Sequence, residues 1–93
     1  MNKKKINIVR NKLDILDYKL LNLIKKRTAL VDQVIKIKTL KKQIVDKKRI
    51  KKVLRNIRLK SIKIKIDPKI TNKIWLSMIN SYIDYEKRNF KKK

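Results

Sequence analysis

A heptad pattern through the first part of the chain constrains its fold more than any other feature of the sequence. Residues 6–39 contain neither proline nor glycine, and their apolar residues recur at alternating steps of four and three. These residues are Val9, Leu13, Leu16, Leu20, Leu23, Leu30, Val34 and Ile37. The spacing predicts a helix with an apolar seam. At 1.5 Å per residue this helix is about 50 Å long, so it must lie along another long helix, which we expect to come from a second chain.

Two shorter helices are predicted after a connection at residues 41–45. Asp46 is a suitable N-cap for the second helix, whose apolar face continues to Ser61. Residues 61–66 alternate like a strand, but the segment is short and isolated, so we expect a frayed helix end followed by a loop. Asp67 and Pro68 begin the third helix, which runs to about Phe90. The sequence therefore predicts an all-α fold with one long, one short and one medium helix.

The composition excludes several kinds of functional site. The chain has no glycine, cysteine or histidine, which excludes a Gly-rich phosphate loop, a Cys nucleophile and a Ser–His pair. The usual ligands of zinc, haem and iron–sulfur clusters are also missing, so we expect neither metal nor cofactor. No signal peptide or apolar run of about 20 residues is present, and we expect a cytoplasmic protein without a membrane span.

The net charge of +23 comes from 30 Lys and Arg against 7 Asp and Glu. Such a charge is typical of proteins that bind nucleic acids. However, the lysines are spread over all three predicted helices, and only five aromatic residues are present. We therefore interpret most of the charge as solvated surface and expect any nucleic-acid binding to be non-specific.

Arg27 interrupts the apolar seam of the first helix between Leu23 and Leu30. A charge in a packed seam is costly unless it is paired. A salt bridge or a side chain that extends to solvent would satisfy it, but acidic residues are scarce. A bound anion is therefore a further candidate partner. Helical spacing places Lys38 on the same face, so that two cations lie beside apolar surface.

Glu86 is the only glutamate of the chain and lies in the apolar phase of the third helix, four residues after Tyr82. It is either a surface carboxylate paired with cations of its own helix, or a polar group in a pocket that faces the cations of the first helix. Arg10 lies beside the start of the seam, about 25 Å along the helix from Arg27. The two arginines of one chain cannot serve one small ligand, but an antiparallel dimer could bring Arg10 of one chain to Arg27 of the other.

A series of short motifs occurs in a characteristic order along about residues 9–90. They are Val9-Arg10, Leu13-Asp-Ile-Leu-Asp17, Leu20-Leu21, Arg27, Lys38, Val45-Asp46-x-x-Arg49, and Ile66-Asp67-Pro68 leading to Ile74-Trp75 and to Tyr82 and Glu86. In this order and spacing the sequence resembles the all-helical (type II) chorismate mutases. The resemblance implies one domain, residues 1–93, in an intertwined homodimer with two active sites that share residues of both chains. Residues 1–5 and 91–93 are expected to be disordered.

The resemblance also implies an activity, the Claisen rearrangement of chorismate to prephenate in phenylalanine and tyrosine biosynthesis, without a cofactor. The implied substrate-binding residues are Arg10, Arg27, Lys38, Asp46, Arg49, Tyr82 and Glu86, of which Arg27, Lys38 and Glu86 are catalytic. The three arginines, with Arg10 from the opposite chain, would hold the two carboxylates of chorismate. Lys38 would donate to the ether oxygen and a carboxylate, and Asp46 would accept from the ring hydroxyl.

The sequence departs from the family pattern at four positions. Ile50 stands where many members have Glu, and Tyr82 stands where many have Ser. Lys65 stands where a glycine is usual, so we expect the end of the second helix to be built differently. Glu86 stands where many have Gln, and it either donates when protonated or orients Lys38. An isochorismate pyruvate-lyase of the same fold and a basic nucleic-acid-binding helical protein remain alternatives.

Overall fold

The computed structural model describes residues 2–91, which form three α-helices and no strand. Helix α1 spans Lys3–Ile37, α2 spans Lys47–Lys63 and α3 spans Pro68–Asn89, and a 3₁₀ turn at Lys41–Gln43 joins the first two. The predicted all-α fold and its order of long, short and medium helices are confirmed. The chain divides into two compact units, an amino-terminal unit up to Asp32 and a carboxy-terminal unit from Gln33 onward.

The amino-terminal unit consists of the first 30 residues of α1 and the residues before them. The helix begins earlier than expected, because the Asn2 side chain accepts a hydrogen bond from the backbone N–H of Lys5 at 3.1 Å. Residues 3–5 therefore belong to α1 in this structure. Residues 1, 92 and 93 lie outside the described residues, and Lys91 follows the end of α3.

The apolar seam of α1 is exposed along the amino-terminal unit. Leu13, Leu16, Leu20 and Leu23 each leave more than half of their surface accessible. Single exposed leucines are common on protein surfaces, whereas these four leucines at heptad spacing form a continuous apolar stripe. The apolar seam predicted from the sequence is therefore present and exposed.

In the carboxy-terminal unit α2 packs against α3 around two buried hydroxyl groups. The Oγ of Ser61 and the Oγ1 of Thr71 lie 2.7 Å apart, and Ser61 donates to the carbonyl of Ile57 at 2.6 Å. Thr71 also has a carbonyl within reach, that of Pro68 at 3.4 Å, so either hydroxyl can be the donor in this pair. Ile35 and Ile44 are the buried apolar residues among residues 2–91. The hydroxyl pair thus fixes one point at which the two helices meet.

Both predicted helix starts in this unit are confirmed. The Oδ1 of Asp46 accepts from the backbone N–H of Arg49 at 3.0 Å, which caps α2. The Oδ1 of Asp67 accepts from the backbone N–H of Lys69 at 2.9 Å, and Pro68 occupies the first turn of α3. Proline suits this position because it has no N–H to leave unpaired.

The end of α2 corrects one expectation from the sequence. Lys65 adopts the left-handed conformation with φ of 63°. The backbone N–H of Ile66 donates to the carbonyl of Ser61 at 2.9 Å, and that of Lys65 donates to Ile62 at 3.2 Å. This is the Schellman arrangement that glycine normally completes. The helix end is therefore built in the usual way, with a lysine in the position that favours glycine.

Replacing Lys65 with glycine is expected to raise the free energy of unfolding by about 0.5–1 kcal/mol. The Cβ of an L-residue is crowded in the left-handed conformation, and this crowding outweighs the extra flexibility of glycine in the unfolded chain. Denaturant unfolding at one protein concentration measures the change. The control is Lys52→Gly at an exposed position in the interior of α2, which should lower stability by about 1 kcal/mol. A loss of stability in both variants would contradict the assignment.

Candidate active site

An ion pair between the end of α1 and the end of α3 is the centre of the candidate site. The Nζ of Lys38 lies 3.0 Å from the Oε1 of Glu86, and the two side chains are 19% and 11% exposed. Lys38 directly follows the last residue of α1, and its backbone N–H donates to the carbonyl of Val34. Glu86 lies in the last turn of α3, which ends at Asn89. The structure thus pairs the only glutamate of the chain with the lysine that follows the first helix.

The pairing leaves part of Lys38 available for a ligand. An ammonium group has three N–H donors, of which Glu86 takes one. Removing such charges from water costs free energy, and the contact between them offsets this cost. The remaining exposure of Lys38 allows an anionic or polar ligand to reach the same nitrogen. The pair therefore holds a cationic donor in a fixed position at the edge of solvent.

A cavity of about 520 Å³ opens beside Lys38. This volume is in the range of small-molecule sites. Its lining residues are Lys38, Gln43, Val45, Asp46, Lys47 and Lys48. Three lysines against one aspartate give the cavity a positive charge, which favours an anionic ligand.

Asp46 has two functions in this region. One carboxylate oxygen caps α2 through the backbone N–H of Arg49, while the side chain also lines the cavity. A carboxylate can accept several hydrogen bonds, so Asp46 can accept from a ligand hydroxyl while it caps the helix. The structure therefore brings Lys38, Asp46 and Glu86 together, two of them in the cavity wall and the third against Lys38.

The other predicted residues lie elsewhere on the helices. Arg49 is exposed in the first turn of α2 and is not among the residues that line the cavity. Tyr82 is half-buried on α3, one turn before Glu86, and packs edge-on against Tyr85 with ring centroids 6.3 Å apart. Arg10 and Arg27 belong to the amino-terminal unit, where Arg10 is exposed and Arg27 half-buried.

Three cavity residues were not named from the sequence, namely Gln43, Lys47 and Lys48, and Val45 was named only as part of a motif. The two lysines cannot be distinguished by type from the other surface lysines of the chain. Gln43 lies in the 3₁₀ turn, which was predicted only as a connection. Its polar side chain carries no periodic signal, so only the folded turn reveals its contacts.

The sequence profile of the family described as chorismate mutase type II matches residues 9–87. The chain belongs to the type II chorismate mutase family. The resemblance inferred from the motifs is thus confirmed, and all seven predicted site residues lie within the matched segment. Comparisons with curated proteins and with solved structures found no match to this member of the family.

Residues 2–91 of this type II chorismate mutase family member contain neither a candidate membrane span nor a candidate metal-ligand group. None of their helices combines the length and the apolar character required to cross a bilayer. Within the same residues no three His, Cys, Asp or Glu side chains are grouped so that they could hold a metal ion.

Proposed function

We propose that this chain is a chorismate mutase, an isomerase that converts chorismate to prephenate in phenylalanine and tyrosine biosynthesis. The observation that carries the proposal is the Lys38–Glu86 pair beside a cationic cavity, within a chain of the type II family. In this rearrangement one C–O bond breaks and one C–C bond forms within the same molecule. A site for it needs to hold a chair-like conformer and to stabilise charge on the ether oxygen.

Each residue has a role in this proposal that its chemistry suits. Lys38 donates to the ether oxygen, where negative charge accumulates as the C–O bond breaks. Arg27 and Arg49 bind carboxylates, because the planar guanidinium group matches a carboxylate with two parallel hydrogen bonds. Asp46 accepts from the ring hydroxyl. Tyr82, one helical turn from Glu86, contacts the substrate in this proposal.

The proposal includes a homodimer in which the partner supplies Arg10. The exposed seam of α1 supports it, because leucines at heptad spacing pack well against the same pattern on another helix. Arg10 and Arg27 of one chain are separated by about 25 Å along the same helix, too far to bind one small ligand. An antiparallel arrangement of two chains would place Arg10 of one chain near Arg27 of the other. Each site would then consist of Arg10 from one chain and the remaining residues from the other.

Glu86 is proposed to orient Lys38 rather than to donate to the ether oxygen. In the ion pair its carboxylate accepts from Nζ, and a carboxylate must be protonated before it can donate. The Glu86→Gln variant tests this role, since an amide also accepts from Lys38. We expect kcat/KM against pH to have the same shape in this variant and in the wild type.

If Glu86 instead donates to the ether oxygen, the dependence of kcat/KM on pH should differ between the wild type and Glu86→Gln. Wild-type activity would then rise toward acid pH, while that of Glu86→Gln would stay flat, because an amide donates at every pH. Steady-state kinetics with chorismate between pH 5 and 8, at fixed ionic strength, distinguishes the two. Glu86→Ala is the matched control for loss of the contact and should lower kcat in both cases.

The activity itself is tested by the loss of chorismate absorbance with purified protein and by identification of the product. Prephenate supports the proposal. In a parallel assay with isochorismate as the substrate, formation of salicylate and pyruvate would instead support the lyase alternative. Nine of the 17 residues of α2 are Lys or Arg and none is acidic. Absence of turnover together with salt-sensitive binding to duplex DNA would therefore favour the nucleic-acid alternative.

A further inference from the structure

Gln43 closes the turn between α1 and α2, beside the cavity. Its Oε1 accepts hydrogen bonds from the backbone N–H groups of Thr39 and Leu40, both at 2.9 Å. Its own backbone N–H donates to the carbonyl of Leu40 at 3.0 Å. Because both neighbours of the side chain are donors, the carboxamide can satisfy them only with its oxygen. The orientation of the amide is therefore determined by the turn.

This orientation leaves the Nε2 group of Gln43 with two N–H donors. Neither is used by a hydrogen bond within residues 2–91. The same side chain lines the cavity together with Lys38 and Asp46. The next residue, Ile44, is 4% exposed and donates its backbone N–H to Lys41, which anchors the turn. The cavity thus has a neutral donor on a rigid support besides its three lysines.

We propose that Gln43 binds the substrate through Nε2 and positions Lys38 through Oε1. The positioning follows from the chain, because the two amides that Oε1 holds belong to the two residues directly after Lys38. The binding role rests on the proposed function, since chorismate brings carboxylate and hydroxyl oxygens that accept hydrogen bonds. A neutral donor adds a directional contact without adding more charge to an already cationic cavity.

Two variants at this position separate the roles. Gln43→Glu keeps an oxygen for the amides of Thr39 and Leu40 but has no N–H to give to a substrate. Gln43→Met preserves the length of the side chain and removes both kinds of contact without a new charge. Gln33→Glu is the matched control, since it makes the same substitution at the only other glutamine of the chain, which is exposed on α1.

The kinetic expectation is a split between KM and kcat. Gln43→Glu should raise KM for chorismate about tenfold and leave kcat within about twofold, because the turn is retained and the donor is lost. Gln43→Met should raise KM and also lower kcat, because the turn directly after Lys38 loses its two hydrogen bonds to the side chain at position 43. Gln33→Glu should change neither. A normal KM in Gln43→Met would overturn the binding role.

Two NMR measurements decide the proposal without turnover. Amide exchange at Thr39 and Leu40 should be at least tenfold faster in Gln43→Met and unchanged in Gln43→Glu. Unchanged exchange in Gln43→Met overturns the positioning role. Titration with malonate, a dicarboxylate probe, should shift the side-chain NH₂ signals of Gln43. If these signals do not move, the binding role is overturned. A wild type that binds malonate in this way but does not convert chorismate would contradict the proposed function alone.

Discussion

Replacing Lys38 with alanine is expected to lower kcat/KM for chorismate by about a hundred- to a thousandfold. Removal of one donor aimed at developing charge commonly costs two to three orders of magnitude in rate. Lys38 is the donor that the structure holds beside the cavity, in a partly buried pair with Glu86. In the proposed mechanism its charge acts mainly in the transition state, where the ether oxygen becomes negative. We therefore expect kcat to fall more than KM rises.

The interpretation of this variant requires a control for stability. Lys38→Ala leaves Glu86 as a buried carboxylate without its partner, which should cost about 2–3 kcal/mol of unfolding free energy. The double variant Lys38→Met with Glu86→Gln removes both charges, and we expect it to regain stability but not activity. Lys36→Ala, at an exposed lysine two residues earlier, should change neither property. Recovery of activity in the double variant would show that the cation is not required.

Mixed dimers of Arg10→Ala and Arg27→Ala chains are expected to regain about a quarter of wild-type activity. Each variant alone should be nearly inactive, because every one of its sites lacks an arginine. In a mixed dimer one site lacks both arginines and the other is complete, if Arg10 comes from the opposite chain. Random assortment makes half of the dimers mixed, and one of the two sites in each is complete.

Two affinity tags, one on each variant, allow the mixed dimer to be isolated after refolding and assayed directly. The matched control is a mixture of Arg27→Ala and Lys38→Ala chains. The proposal assigns both residues to the same chain of a site, so no complete site can form and activity should stay absent. Recovery in the control, or none in the Arg10 and Arg27 mixture, would contradict the proposed sharing of sites.

Much of the fold could be predicted because its signals are local. The heptad spacing, the Asp46 cap and the Asp67-Pro68 start each act within a few residues, and the structure has all three. The end of α2 was predicted wrongly for a related reason. Lysine has no preference for the left-handed conformation, so its identity gave no sign that Lys65 occupies the Schellman position. The hydrogen bonds around it, not the residue type, determine that turn.

The candidate site could be predicted only in part. Lys38 and Glu86 are 48 residues apart, and no local pattern indicates that they meet. Only the order of the family motifs assigned both residues to one site. Gln43 was missed because its side chain gains a role only after a three-residue turn has formed. The roles of Arg10 and Arg27 remain predictions, since they depend on a second chain.

The contact between Ser61 and Thr71 has a consequence for how the protein is made. These residues are only 10 positions apart, and segments of this length meet within about 100 ns. The α2–α3 hairpin can therefore form as soon as it is synthesised, whatever the concentration of the protein. Helix α1 is synthesised first, yet in the proposed dimer its seam is covered only when another chain arrives. Until the dimer forms, electrostatic repulsion between the strongly positive chains opposes their aggregation through the exposed leucines.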